Sequence, residues 1–372
     1  MRDLLALTLR PEVISFAGGL PAPELFDMDG WQDSFAKAAE DRRNLQYGPT
    51  EGDALLRELV AERMTHRGLR TTASDLLVTT GSQQALTLVT TALVEPGDVV
   101  AVEEPTYLAA LQCFQLAGAR VVPVASDEHG MVPAALAEVI ARDRPTLVYV
   151  VSTFANPSGR TLPATRRQEI ATLAAEHDVW VVEDDPYGEL RYDGDPVPPL
   201  ASYGERVLYL GSLSKIGAPG VRLGWLRAPS TLLPSVVIAK QAADLHTSTI
   251  DQAAAAVYLS NTDLNAHIAM LCTAYRERRD TMLEALPSTV PTGTTWTHPD
   301  GGMFVWLRLP GEVDTADVLK KALTHNVAFV PGTPFFATTA DPATFRMSFT
   351  TNTPEDITEG MRRLRTTFNS LA

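Results

Sequence analysis

A lysine, two serines and an arginine share the stretch Val207-Leu-Tyr-Leu-Gly-Ser212-Leu-Ser214-Lys215-Ile-Gly-Ala-Pro-Gly-Val-Arg222-Leu-Gly-Trp225. Val207 to Leu210 reads as a buried strand, so Lys215 follows a strand end closely, with Ser212 and Ser214 before it and Arg222 after it. Hydroxyls and a guanidinium together can hold a phosphate. An ammonium that is partly desolvated beside another cation can lose its proton and become a nucleophile. The combination suits a lysine that forms a Schiff base with a phosphorylated aldehyde, pyridoxal 5′-phosphate (PLP). A solvated strand-end lysine is the plain alternative, and the rest of the chain decides between them.

Such a cofactor needs an anion for its ring nitrogen, a donor to its phenolate oxygen, a surface for its ring and a cup for its phosphate. Asp184 follows a strand, in Glu183-Asp184-Asp185-Pro186-Tyr187, and is a candidate for the anion. Asn156 and Tyr187 are candidate donors to the phenolate oxygen. Ser82 and Gln83 open a helix, whose free N–H groups and positive dipole end attract phosphate. Tyr107 stands at another helix start and could stack on the ring. Each has an ordinary counterpart: a solvated acidic loop, turn residues in Asn156-Pro-Ser-Gly159, plain capping, core packing. All of them occurring in this order, each just beyond a strand, favours the chemical reading.

The elements that must position these residues are legible as alternating apolar runs and helical patterns. Strands are expected at 76–79, 99–102, 120–124, 146–151, 179–182 and 207–210, with helices between them and Thr106 as an N-cap. Residues 13–26 read as a loop with Gly18-Gly19 allowing close backbone approach, followed by helices over about 30–43 and around Leu55 to Val60. Apolar strands alternating with helices imply an α/β fold with a mostly parallel sheet flanked by helices, with ligands beyond the carboxyl ends of the strands. From about 230 to 286 the pattern is helical. The last part, with strands at 301–307 and 344–349 and helices at 314–325 and 354–368, reads as a smaller α+β domain. The expected division is an N-terminal segment 1–35 packing with the small domain, a large cofactor-binding domain 36–270 and a small C-terminal domain 271–372.

Composition narrows the classes. The 372 residues carry a formal net charge of −14, which argues against a nucleic-acid partner and against an anionic membrane surface. No apolar run reaches the length of a membrane span. The stretch Met1 to Arg10 is too short in its apolar part, and charged on both sides, to read as a signal peptide. Two distant cysteines, Cys113 and Cys272, exclude a disulfide framework and read as buried free thiols. A cytoplasmic protein is expected, and no metal is expected in the site.

The motifs run nearly the full length: Ile14-Ser-Phe-Ala-Gly-Gly-Leu-Pro21, Leu45-Gln-Tyr47-Gly-Pro-Thr-Glu-Gly52, Thr80-Gly-Ser-Gln-Gln-Ala-Leu86, Asn156-Pro-Ser-Gly159, Glu183-Asp-Asp-Pro-Tyr187, Ser212-Leu-Ser-Lys215, Gly220-Val-Arg-Leu-Gly-Trp225, Gly301-Gly-Met-Phe304 and Phe345-Arg-Met-Ser348. Together they resemble the fold-type I PLP enzymes of the class I/II aminotransferase family, in the branch of the 2-aminoadipate and kynurenine aminotransferases. The resemblance implies that Lys215 is the Schiff-base lysine and the base of the proton shift, and that Asp184 pairs with the pyridine nitrogen. It implies that Asn156 and Tyr187 bond the phenolate oxygen and that Tyr107 stacks on the ring. Ser82, Gln83, Ser212, Ser214 and Arg222 would hold the phosphate. Tyr47 would reach the phosphate of a neighbouring subunit, which makes a homodimer the expected assembly. Arg346 would clamp the substrate carboxylate, a bidentate task for a guanidinium, with Asn156 and Gly19 close to the substrate. Leu213, where family members often carry Phe, and Ile216-Gly217, where they often carry Thr-Leu, depart from the pattern and remove a hydroxyl beside the lysine. From this length, the N-terminal DNA-binding domain of the branch's transcription-factor members is not expected.

The expected reaction moves the amino group of an L-α-amino acid to a 2-keto acid. The alternative is elimination, replacement or cyclisation of an amino acid, which shares the same carbanion on the same scaffold. A non-catalytic binding protein is a third reading, weighed down by the complete set Lys215, Asp184, Asn156 and Arg346. The loop from Ser15 to Pro23, Tyr107 and the region of Phe335-Phe336 are expected to shape the side-chain pocket, whose apolar residues hint at an apolar or aromatic substrate.

Overall fold

Six apolar runs become parallel strands; all but the edge strand Arg120–Val124 are buried on both faces and can satisfy their backbone only in a ladder. In spatial order the large sheet holds Leu76–Thr79, Gly224–Arg227, Val207–Ser212, Trp180–Asp184, Leu147–Val150, Val99–Glu103 and Arg120–Val124. The computed structural model describes residues 12–371, so the segment Met1–Arg10 read above lies outside the described residues. The six strands expected for this sheet appear within two residues of their expected ends. Gly224–Arg227 is an additional strand. It runs antiparallel between Leu76–Thr79 and Val207–Ser212, with Gly224 opposite both Thr79 and Ser212. The sheet is therefore mixed but mostly parallel, and flanked by helices.

Gly224 explains how that strand fits. A Cβ there would stand 2.6 Å from the carbonyl carbon of Gly81 and from the Ser82 nitrogen, so only glycine lets the strand pass the turn at 80–82.

The helical stretch after Ser230 divides into Leu233–Asp244, Thr249–Asn261 and Leu264–Thr289. A second sheet is antiparallel and smaller, in the order Thr295–Trp296, Phe304–Arg308, Thr344–Ser348, Val330–Pro331. The segment read as a loop at 13–26 contributes a short strand instead: Ile14–Ser15 pairs in parallel with Val327–Ala328. Thr106 is not the helix cap. The helix is Leu108–Leu116 with Tyr107 at its N-cap position, and the Thr106 N–H donates to the Phe335 carbonyl at 2.9 Å. Cys113 and Cys272 are free, half-buried rather than buried. Among the described residues no helix is long and apolar enough to cross a membrane.

The acidic run 183–185 does not face solvent; all three side chains are buried. Glu183 accepts from the N–H groups of Leu200 at 2.7 Å and Ala201 at 2.9 Å, and from the Ser152 hydroxyl. The fully buried Arg167 stands 3.6 Å from Glu183 and donates to the carbonyls of Leu162, Ser152 and Pro198 and to the Thr153 hydroxyl. Asp185 receives Arg67 at 2.6 Å and the Tyr209 hydroxyl at 3.0 Å. These bonds fix the strand ends that carry Asn156 and Asp184. Removing one partner of such a pair strands a buried charge. Arg167→Met should therefore lower stability by about 3–5 kcal/mol, read by urea denaturation; a loss within error would show that the Arg167 bonds do not hold these loops.

Candidate active site

The carboxyl ends of Leu76–Thr79, Val99–Glu103, Leu147–Val150, Trp180–Asp184 and Val207–Ser212 open on one cavity of about 310 Å³. Every expected site residue except Tyr47 lines it: Gly19, Ser82, Gln83, Tyr107, Asn156, Asp184, Tyr187, Ser212, Ser214, Lys215, Arg222 and Arg346. Tyr47 is 78% exposed, its ring edge-on to His246 at 5.7 Å, and lies away from this chain's own cavity. A roomier cleft of about 710 Å³, walled by Trp296, Trp306 and Phe336, holds neither the lysine nor Asp184.

Each group is held by a local device. Lys215 Nζ donates to the Gly19 carbonyl at 2.8 Å. Burial, with the charges of Arg346 and Arg222 adding to it, brings the lysine down to about 8. A Cβ at Gly19 would meet Phe304 Cζ at 2.7 Å, so the close approach of this backbone requires glycine. Asp184 accepts from the Tyr149 hydroxyl at 2.8 Å through Oδ2, while Oδ1 is buried without a partner. Burial raises its carboxyl to about 7, against the Tyr149 hydrogen bond and with the charge of Asp185. Burial likewise pushes Tyr107 up to about 12, and Tyr187 well above the ordinary phenol range.

At the phosphate-like end, Gly81 precedes the helix Ser82–Leu93, which has no side-chain cap, so the N–H groups of Ser82 and Gln83 stay free. The Ser212 hydroxyl donates to Ser214 Oγ at 2.9 Å and accepts from the Ser214 N–H at 3.0 Å. Arg222 adopts a left-handed backbone (φ 55°), and its Nη2 donates to the Thr80 carbonyl at 3.3 Å.

At the other end Arg346 is buried between the rings of Phe304, 4.2 Å from its guanidinium carbon, and Phe335, 5.2 Å away. Its Nη1 donates to Asn156 Oδ1 and its Nη2 to the Ala17 carbonyl, both at 2.6 Å, and its Nε has no partner. Burial lowers the guanidinium to about 10.

Tyr149, Phe304 and Phe335 are contributors whose roles were not read from the sequence. Tyr149 sits in an apolar strand and looks like core, although a buried tyrosine must find an acceptor. Phe304 and Phe335 lay within stretches already singled out, but nothing marked them as faces for a guanidinium.

The arrangement fits pyridoxal phosphate. A buried carboxylate oxygen without a partner suits a protonated ring nitrogen, a lysine of lowered basicity stands in the same cavity, and free helix N–H groups with hydroxyls and a guanidinium suit a phosphate. The class I and II aminotransferase model matches residues 17–364, and the chain belongs to that family. It is 42% identical to aromatic-amino-acid aminotransferase 1 of Thermococcus litoralis, over 99% of this chain and 90% of that one. It is 41% identical to the 2-aminoadipate transaminase of Thermus thermophilus, over 98% and 92%. The crystal structure of the Pyrococcus horikoshii kynurenine aminotransferase, in complex with PMP, superposes with a TM-score of 0.94 at 40% identity, covering 100% of this chain and 94% of that one. The protein is a PLP-dependent aminotransferase of the fold type I class.

The unpaired Asp184 gives a test without turnover. Its folded value of about 7 exceeds its ordinary 3.8, so the folded chain binds the extra proton between those values and is destabilised as pH rises through them. Asparagine does not titrate. The cofactor-free Asp184→Asn variant should gain stability over the parent between about pH 4 and pH 7 and keep the gain above it, while binding PLP more weakly. Melting curves across pH check this; parallel curves would show that the carboxylate is not destabilised by its surroundings.

Proposed function

We propose that the chain transfers the amino group of an L-α-amino acid with an apolar or aromatic side chain to a 2-keto acid, with Lys215 as the nucleophile and proton carrier. The observation that carries this is the cavity itself: Lys215, Asp184 and Arg346 line one space, with the carboxylate oxygen and the guanidinium Nε still unpaired. Bound, PLP supplies the carbonyl carbon that takes the amino group and the protonated ring that accepts the electrons left by the α-proton. Asp184 keeps that ring protonated. Ser82, Gln83, Ser212, Ser214 and Arg222 hold the phosphate, Asn156 and Tyr187 donate to the phenolate oxygen, and Tyr107 covers the ring. Lys215 Nζ, brought to about 8, is basic enough to take the substrate α-proton and acidic enough to give it back. Arg346 binds the substrate carboxylate, exchanging its present acceptors or using Nε.

The substrate reading is supported by Phe304 and Leu20 in the cavity wall and by the aromatic-amino-acid and kynurenine enzymes among the relatives. A cytoplasmic homodimer, with the exposed Tyr47 reaching the partner's phosphate, completes the proposal. So does the division into a large unit, 36–270, and a small unit, 271–372 with the N-terminal segment.

The test is the visible spectrum of the holoenzyme. Amino acids without any keto acid should bleach the cofactor band in a single turnover, and a keto acid such as 2-oxoglutarate should restore it. Product released through many turnovers without a keto acid would overturn the transaminase reading. Lys215→Ala should abolish turnover. Arg346→Ala should lower kcat/KM for amino acids by the equivalent of about 2–5 kcal/mol, and should affect decarboxylated amines far less; equal losses on both would refute the carboxylate role.

A further inference from the structure

Lys240 is fully buried on the helix Leu233–Asp244, outside the cavity just described. Its Nζ donates to both oxygens of Asp244, at 2.6 and 2.7 Å, and to Gln84 Oε1 at 2.9 Å. Gln84 Nε2 donates to Asp244 Oδ2 at 2.7 Å, and Gln84 Oε1 accepts the Thr80 N–H at 2.8 Å. Three side chains thus form a closed set of hydrogen bonds that ends on one backbone amide. That amide opens the turn at 80–82, whose carbonyl at Thr80 receives Arg222 and whose Gly81 has φ 80°.

Burying a lysine is costly, and a methionine would fill the same space without that cost. What the ion pair provides is direction. Gln84 occupies the third position of its helix, from which a glutamine ordinarily reaches back to the N-cap N–H. Here Lys240 and Asp244 fix both ends of its amide, and Oε1 reaches one residue further, to Thr80. Gly81 N–H turns instead to the Thr79 carbonyl at 2.8 Å, and Ser82 and Gln83, which open the uncapped helix, line the cavity.

We infer that Gln84, Lys240 and Asp244 are positioning residues for the phosphate end of the site: they set the turn at Thr80–Ser82 so that its N–H groups and Arg222 converge on the phosphate. The inference rests on the reading of that turn as the phosphate cup. None of the three side chains lines the cavity.

The experiment titrates the full-length chain, freed of cofactor, with PLP, with pyridoxal lacking the phosphate, and with inorganic phosphate. Gln84→Met and Lys240→Met should each weaken PLP and inorganic phosphate by roughly 10- to 100-fold, the loss of a hydrogen bond at a charged group, and leave pyridoxal unchanged. The double variant should lose little more than the worse single one, because one device is broken in each case. Equal weakening of PLP and pyridoxal, or no weakening in variants with an intact fold by circular dichroism, would overturn the inference. Should Lys240→Met not fold, Gln84→Met, at a half-buried position, decides the matter alone. A parent chain that binds PLP no better than pyridoxal would overturn the phosphate reading and this inference with it.

Discussion

Charge held buried at a cavity, with partners left over, is the constraint on which the rest of the structure depends. Asp184 is buried with one oxygen unpaired, and Arg346 is buried with its Nε unpaired. Neither is in the arrangement that would be most stable for the isolated chain, because an unsatisfied buried charge costs free energy that a hydrogen bond would return. The surrounding fold must therefore be over-determined, or the cavity would collapse. Both groups keep one set of bonds that aims them and one open position that a ligand can fill. Tyr149 aims Asp184. Asn156 and Ala17 aim Arg346, with Phe304 and Phe335 clamping its plane.

The over-determination lies one layer further out. Glu183 and Asp185 flank Asp184 and point away from the cavity, where each meets an arginine and further donors. A strand end bearing three consecutive carboxylates is thereby tied on both sides, and of the three only Asp184 lines the cavity. The same logic holds at the phosphate end. Arg222, in a left-handed backbone at the entry of the antiparallel strand, bonds back to Thr80. Gly224 lets that strand pass within contact of the turn it helps to shape.

Much of this was legible because the chemistry sits where apolar runs stop. Period and β-branching marked the strands, and the polar residues just beyond them, Ser82, Asn156, Asp184 and Lys215, fell into one cavity once the strands were laid side by side. Three features were not legible. Gly224–Arg227 is a short strand with a glycine at its start and an arginine at its end, so neither its period nor its apolarity stands out, and its place between two other strands is a tertiary fact. The burial of Glu183 and Asp185 beside Asp184 left no mark, because their partners Arg167 and Arg67 look in the sequence like ordinary helix-surface arginines. Tyr149 was hidden for the opposite reason: an aromatic in an apolar strand looks like packing, and only the fold shows which carboxylate its hydroxyl meets.

The N-terminal segment shows how the two halves of the site are made one. Ile14–Ser15 joins Val327–Ala328 in the small unit, and Phe16 extends the attachment to Ser348, the residue two beyond Arg346. The next residues turn inward: the Ala17 carbonyl holds Arg346, the Gly19 carbonyl holds Lys215, and the Leu20 carbonyl receives the Thr350 hydroxyl. A single stretch of backbone therefore touches the guanidinium on the small sheet and the amine beyond the large sheet. Main-chain carbonyls are neutral acceptors that occupy both cations without cancelling their charge, and charge-assisted bonds to a carboxylate are the stronger kind. The segment is thus a bridge that orients the lysine and the arginine from one continuous run of backbone.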